Sequence, residues 1–259
     1  MCVDHDSRPP IAPIAGGSLS AGAVTLNSAD GTPLRAFRAR PSEPSGAGVL
    51  ILPDVRGLVP FYEELTLRFA EHGFDALVID WFARTAGTEP RDADWEYMPH
   101  VERATWEGVQ SDIRAGAAAL REDPEADLRA LFTVGFCFGG RAAFLSATMG
   151  LDLAGVIGFY GSLAAEGRAG MPSPIELADR IESPVLGLFG GADAGIPVDE
   201  VQAFDQALER AGVDHQVITY PGAPHSFFDR KAAQFASESA AAWDEVLAFM
   251  RERGAQIGA

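Results

Sequence analysis

Short apolar runs of strand type recur along this chain at residues 48–52, 74–79, 130–134, 155–160, 184–189 and 215–220. A strand that reads as an unbroken apolar run is one covered on both faces. Between these runs stand segments of helical period. Phe61, Leu65 and Phe69 recur every four residues before Gly73, and Trp106, Val109, Ile113, Ala117 and Leu120 form a stripe that stops before Pro124. Val201, Phe204 and Leu208 mark a third helix closed by Gly212, and Trp243, Val246, Leu247 and Met250 a last one. Alternation of this kind implies an α/β chain with a mainly parallel sheet and helices on both faces. A hairpin-like opening precedes it, with residues 23–26 and 34–39 separated by a turn at Asp30-Gly31. Residues 84–100 are polar and irregular and read as a loop. Residues 1–20 are rich in Pro, Gly, Ala and Ser and read as a flexible N-terminal arm, which leaves 21–259 as a single domain with no dividing linker.

Composition narrows the function classes. At 47% hydrophobic residues the chain can build a core on both sheet faces. The formal charge of −17 disfavours nucleic acid and anionic membrane surfaces, both of which need a basic footprint. No stretch approaches the roughly 20 apolar residues of a membrane span, and the N-terminus has no basic region followed by an apolar one. The expectation is a soluble, cytoplasmic protein, monomeric or a small homo-oligomer, acting on a small molecule. The two cysteines, Cys2 and Cys137, suit a reducing compartment. A metal site at Cys2 and His5 is not expected from one cysteine and one histidine on a terminal arm, and no cofactor is expected elsewhere.

The chemistry gathers where strands end. Gly135-Phe136-Cys137-Phe138-Gly139 has the form Gly-x-nucleophile-x-Gly between a strand and a helix. A nucleophile on so sharp a turn needs neighbours without side chains two residues either way. The same turn sets the sulfur at a helix N-terminus, where the dipole favours thiolate. Alone, the pentapeptide would serve equally as an ordinary glycine-rich turn around a buried cysteine. It is followed by Asp193, just past the 184–189 strand, and by His225, just past the 215–220 strand. Nucleophile, acid and histidine in that chain order make a Cys137–His225–Asp193 triad the expectation. His72, His100 and His215 sit in less suitable places, and the rival acid Asp199 reads as a helix N-cap. The backbone N–H groups of Phe138 and Val55 are the expected oxyanion donors.

These residues resemble the dienelactone hydrolase family, the cysteine branch of the α/β-hydrolases. The likeness runs from about Gly48 to His225. It rests on Gly135-Phe-Cys-Phe-Gly-Gly140, Asp80-Trp-Phe-Ala-Arg84, Tyr160-Gly161, Gly190-Gly-Ala-Asp193 and His225-Ser-Phe227. The resemblance implies an α/β-hydrolase fold and hydrolysis of a small enol-lactone or related activated ester through a thioester acyl-enzyme, without metal or cofactor. It implies that Arg84 contacts a substrate carboxylate and that an acid near the first site loop, here Asp54, engages the thiol. A second carboxylate-binding arginine is common in the family shortly after the histidine; here Asp229 stands near that place and Arg230 one residue later, with Arg56 able to compensate. Trp81, Phe82 and Tyr160 are candidates for an apolar pocket or for plain core. Two other readings stand beside this one: a broad small-ester or thioester hydrolase without dicarboxylate preference, and a non-catalytic redox or ligand-binding thiol on the same fold.

Overall fold

The computed structural model describes residues 6–14 and 20–257. Eight strands form one sheet in the order β1-β2-β4-β3-β5-β6-β7-β8. The antiparallel hairpin β1 (Ser20–Asn27) and β2 (Pro33–Arg40) forms one edge, and β2 runs antiparallel to β4 (Asp75–Ile79). From β4 through β3 (Ala47–Leu52), β5 (Ala130–Phe136), β6 (Gly155–Phe159), β7 (Val185–Gly190) and β8 (His215–Tyr220) every pairing is parallel. The α/β expectation holds, and each predicted strand is present within a residue or two of its predicted bounds except β1, which starts three residues before the predicted 23–26.

Helices cover both faces of the sheet. On β6, Gly155 and Gly158 lie an odd number of residues apart and so face opposite sides. A Cβ on Gly155 would meet the Phe249 ring of α7 (Ala236–Ile257), and one on Gly158 would meet the Phe144 ring of α5 (Phe138–Ser146). Phe69 of α1 (Pro60–Glu71) lies 4.8 Å from Trp243 of α7, so these two helices share a face. Phe144 lies 5.0 Å from Phe204 of α6 (Val198–Ala211), which puts α5 and α6 on the other. The helix α4 (Trp106–Arg121) is capped by Thr105, whose hydroxyl accepts from the Gly108 amide at 3.2 Å.

Two expectations need adjustment. The stretch 84–100 is not wholly irregular: it holds the short helices α2 (Ala83–Ala86) and α3 (Met98–Arg103), too brief to display a period. In the described part of the arm, Arg8 pairs with Glu64 at 2.9 Å and the Ile14 amide donates to Glu71 at 3.0 Å. Asp199 is not the cap of α6; Pro197 occupies that position, and Asp199 falls with Glu200 in the first turn, where the helix dipole favours acids.

Under the ends of β5 and β6 lies an aromatic platform. Phe136 and Phe159 stack at 4.7 Å, and Phe228 packs 4.7 Å from Phe159. All three are buried, and such pairs add about 0.5–1.5 kcal/mol each beyond the area they remove from water. This platform fixes the strand ends from which the site is built.

Candidate active site

Cys137 occupies the sharp turn between β5 and α5 with φ 54° and ψ −109°, a conformation strained for any residue with a side chain. The turn closes only because its neighbours are glycines. A Cβ on Gly135 would strike the Gly139 carbonyl, one on Gly139 the Leu52 carbonyl of β3, and one on Gly140 the Phe159 carbonyl of β6. The Cys137 amide donates to Phe159 at 3.0 Å, which ties the turn to the neighbouring strand. The thiol is half-buried.

Asp193 and His225 follow β7 and β8. The Asp193 Oδ2 accepts from His225 Nδ1 at 2.6 Å, and its Oδ1 accepts from the Gly195 amide at 2.8 Å. With Nδ1 holding the proton shared with the carboxylate, Nε2 is the basic nitrogen of the ring. Asp193 is buried and His225 half-exposed, so the acid orients the ring from behind while the ring meets solvent. Cys137 and His225 line one cleft of about 140 Å³, together with Val55 and Phe138. Apolar walls come from Met171 and Ile196.

The two residues expected to donate their amides, Val55 and Phe138, both line this cleft. Phe138 opens α5, so its N–H has no acceptor within the helix. Val55 sits in a turn set by Asp54, whose Oδ1 accepts from the Arg56 amide at 2.8 Å. Trp81 serves both. Its indole N–H donates to Pro53 O at 3.0 Å, and its ring meets Phe138 edge-on at 5.6 Å. It is buried and does not line the cleft, so its place is support rather than pocket wall. Phe82 is likewise buried, against Trp95 at 5.5 Å.

The expected carboxylate readers lie elsewhere. Arg84 donates to Asp112 at 2.8 Å and to Thr32 at 3.0 Å, and also pairs with Asp30. That guanidinium joins the β1–β2 turn to α4 and is not among the residues lining the cleft. Its short, buried acid partner Asp112 explains the difference: a desolvated carboxylate holds the cation more firmly than a transient substrate could. Arg56 rests over the Tyr97 ring at 5.5 Å, and Asp54 is fully buried at the end of β3; neither lines the cleft. Tyr160 does line it. Its ring lies 4.9 Å from His225, and its hydroxyl donates to Asp229 Oδ2 at 2.7 Å. Asp229 is thus buried behind the histidine rather than presented to substrate, and burial pushes its pKa up to about 6 against the lowering effect of the Tyr160 hydrogen bond.

Sequence reading passed over Arg141 and Arg168, both of which line the cleft. Arg141 had a visible signal, a cation inside the otherwise small and apolar run Gly139-Gly-Arg-Ala-Ala-Phe144. Arg168 had none, because residues 161–183 carry no period. Among the described residues no group of three or more His, Cys, Asp and Glu side chains is arranged to hold a metal ion, and no helix is long and apolar enough to cross a membrane. The Cys2 and His5 pair lies outside the described residues.

The chain is also similar to known proteins. The family model for the dienelactone hydrolase family matches residues 34–254. A relative from Methylorubrum extorquens named "Putative carboxymethylenebutenolidase" is 30% identical, with the match covering 91% of this chain and 82% of the relative. One of the same name from Salmonella typhimurium is 28% identical over 93% of this chain and 91% of its own. Among solved structures, a Klebsiella pneumoniae protein described as a "Putative Dienelactone Hydrolase" superposes with a TM-score of 0.78 at 27% identity, covering 90% of this chain and 99% of that one. A dienelactone hydrolase-like promiscuous phosphotriesterase from metagenomic libraries gives 0.74 at 26% identity, covering 91% and 99%.

Proposed function

Since the chain belongs to the dienelactone hydrolase family, we propose that it hydrolyses small enol-lactones or related activated carboxylic esters through a thioester on Cys137. The observation that carries this reading is the 2.6 Å hydrogen bond from His225 to buried Asp193, beside a cysteine on a strained elbow that lines the same cleft. A thiol kept only for redox sensing or ligand binding needs no oriented histidine–acid pair.

Each residue then has a step. His225 Nε2 takes the Cys137 proton as sulfur attacks the carbonyl carbon, and Asp193 stabilises the imidazolium that forms. The carbonyl oxygen becomes an oxyanion facing the amides of Val55 and Phe138, donors fixed before the charge appears; removing one such donor typically costs roughly 100- to 1000-fold in rate. The C–O bond of the ester breaks, His225 returns the proton to the leaving oxygen, and the acyl group remains on sulfur. Water, deprotonated by His225, then cleaves the thioester and restores the thiol. The small cleft volume favours small acyl groups. The elbow accepts alanine in place of cysteine without a clash, so Cys137→Ala is expected to keep its melting temperature and lose turnover of p-nitrophenyl esters and lactones. Iodoacetamide is expected to abolish wild-type activity in parallel. Wild-type rates in Cys137→Ala would remove the proposal.

A further inference from the structure

The cleft has a third wall, the segment that follows β6, and charged side chains hold it from both sides. Arg141 projects from α5 and is 1% exposed. Its guanidinium donates to the carbonyls of Ser162 and Ala164 at 3.2 Å, of Met171 at 3.0 Å and of Pro172 at 2.8 Å, and also to that of Ala165. From α6, Glu200 Oε1 accepts the amides of Leu163 and Ala164 at 3.0 and 2.7 Å. A buried cation spent on backbone carbonyls and an acid spent on backbone amides leave this segment little freedom. Its backbone is driven into the left-handed region at Ala165, with φ 44°, and at Ala169, with φ 59°. Conformations of that kind cost free energy for residues with a Cβ and persist where the surroundings fix them.

This clamped segment presents one side chain of note. Arg168 is exposed and lines the cleft that holds Cys137 and His225. Among the described residues its guanidinium has no ion pair and no hydrogen bond. Among the described residues no carboxylate lines the cleft: Asp193 and Asp229 lie behind His225 and Tyr160, and the segment's own Glu166 is not part of the wall. Of the two guanidinium groups in the lining, Arg141 is spent on backbone carbonyls with Glu166, Glu176 and Glu200 nearby, which leaves Arg168 as the cation open to an anion in the cleft.

Resting on the hydrolase reading above, we propose that Arg168 is the specificity-determining residue of this site, reading a negative charge carried by the substrate close to its scissile carbonyl. The small cleft sets the distance, since anion and carbonyl must fit within about 140 Å³. Arg141 and Glu200 are positioning residues that aim the Arg168 segment. Arg84, committed to Asp112 and Asp30, has no part in recognition.

Binding of inert amides tests the assignment without requiring turnover. The probes are N-(4-nitrophenyl)succinamic acid, 4-(butyrylamino)benzoic acid and the neutral butyryl-4-nitroanilide, measured by calorimetry on wild type, Arg168→Ala, Arg168→Lys and Arg168→Glu. Arg168 is exposed, so all variants are expected to keep the wild-type melting temperature. Wild type is expected to bind at least one anionic amide more tightly than the neutral one. That preference falls roughly 10- to 100-fold in Arg168→Ala, the range for a lost charge-assisted hydrogen bond, is partly kept in Arg168→Lys and is abolished in Arg168→Glu. Absence of any preference in wild type, or a preference that survives in Arg168→Ala, overturns the assignment. Turnover is read separately: failure of wild type to hydrolyse both anionic lactones and p-nitrophenyl esters would strike the hydrolase reading, whatever the amides show.

Discussion

Asp229 lies behind His225, with Tyr160 between them, its Oδ2 accepting the Tyr160 hydroxyl at 2.7 Å and the Tyr160 ring 4.9 Å from the imidazole. Burial lifts its pKa from 3.8 to about 6, so the folded protein holds this proton more tightly than the unfolded chain does. For a carboxyl raised in this way the linkage runs opposite to the usual acid case. Its contribution to stability is complete below the unfolded value and is lost as pH rises through about 6. Asp229→Asn keeps an acceptor for Tyr160 without the charge. Relative to wild type it is expected to gain about 2–3 kcal/mol of unfolding free energy between pH 4 and pH 7, measured by urea titration at each pH. A difference that stays flat across that range would contradict the assignment of this proton. The sequence marks Asp229 as a departure from a substrate-binding arginine, yet its partner Tyr160 is 69 residues away, and no local pattern shows such a pairing. The placing of Cys137 on a glycine-rich turn after β5, and of Asp193 and His225 in the loops after β7 and β8, was legible because apolar runs and glycines mark those strand ends.

Elements with enough length to show a period were readable, and those defined by partners were not. The strands β3 to β7 announced themselves as apolar runs, and α1, α4, α6 and α7 as stripes. The short helices α2 and α3 and the segment after β6 hide because four to six residues make no period, and because Arg141 and Glu200 impose the last of these from outside. The hairpin shows the same limit. Its turn was visible in Asp30-Gly31, but its tether was not: Arg84 of α2 reaches back to Asp30 and Thr32 and across to Asp112 of α4. Asp112 is buried, with its side chain 2% exposed, so removing its cation strands a desolvated carboxylate. Arg84→Ala is expected to lose about 2–3 kcal/mol in urea unfolding, below the usual cost for a fully buried pair because the Arg84 side chain is 23% exposed. Anionic and neutral esters should be affected alike. A selective loss on anionic substrates at unchanged stability would return Arg84 to the site.

Across the whole molecule the parallel order of the sheet does the gathering. Val55, Cys137, Tyr160, Asp193 and His225 span 171 positions of chain, and they converge because each follows the carboxyl end of a strand in one parallel run from β3 to β8. Strand–helix alternation predicted that such an end would carry the chemistry. It could not predict the strand order, which depends on long-range pairing, nor that the site's anion reader would lie on the segment after β6. The absence of carboxylates from the cleft lining among the described residues is likewise a property of the folded chain, since acids scattered along the sequence are sorted only by folding. The central claim, covalent catalysis at Cys137, is tested most directly by rapid acid quench during turnover of a p-nitrophenyl ester, followed by intact-mass and peptide-mapping mass spectrometry. The account predicts one acyl group per chain, located on the Cys137 peptide, released by hydroxylamine and missing in Cys137→Ala; an acyl group on any other residue, or steady turnover by Cys137→Ala, would contradict it.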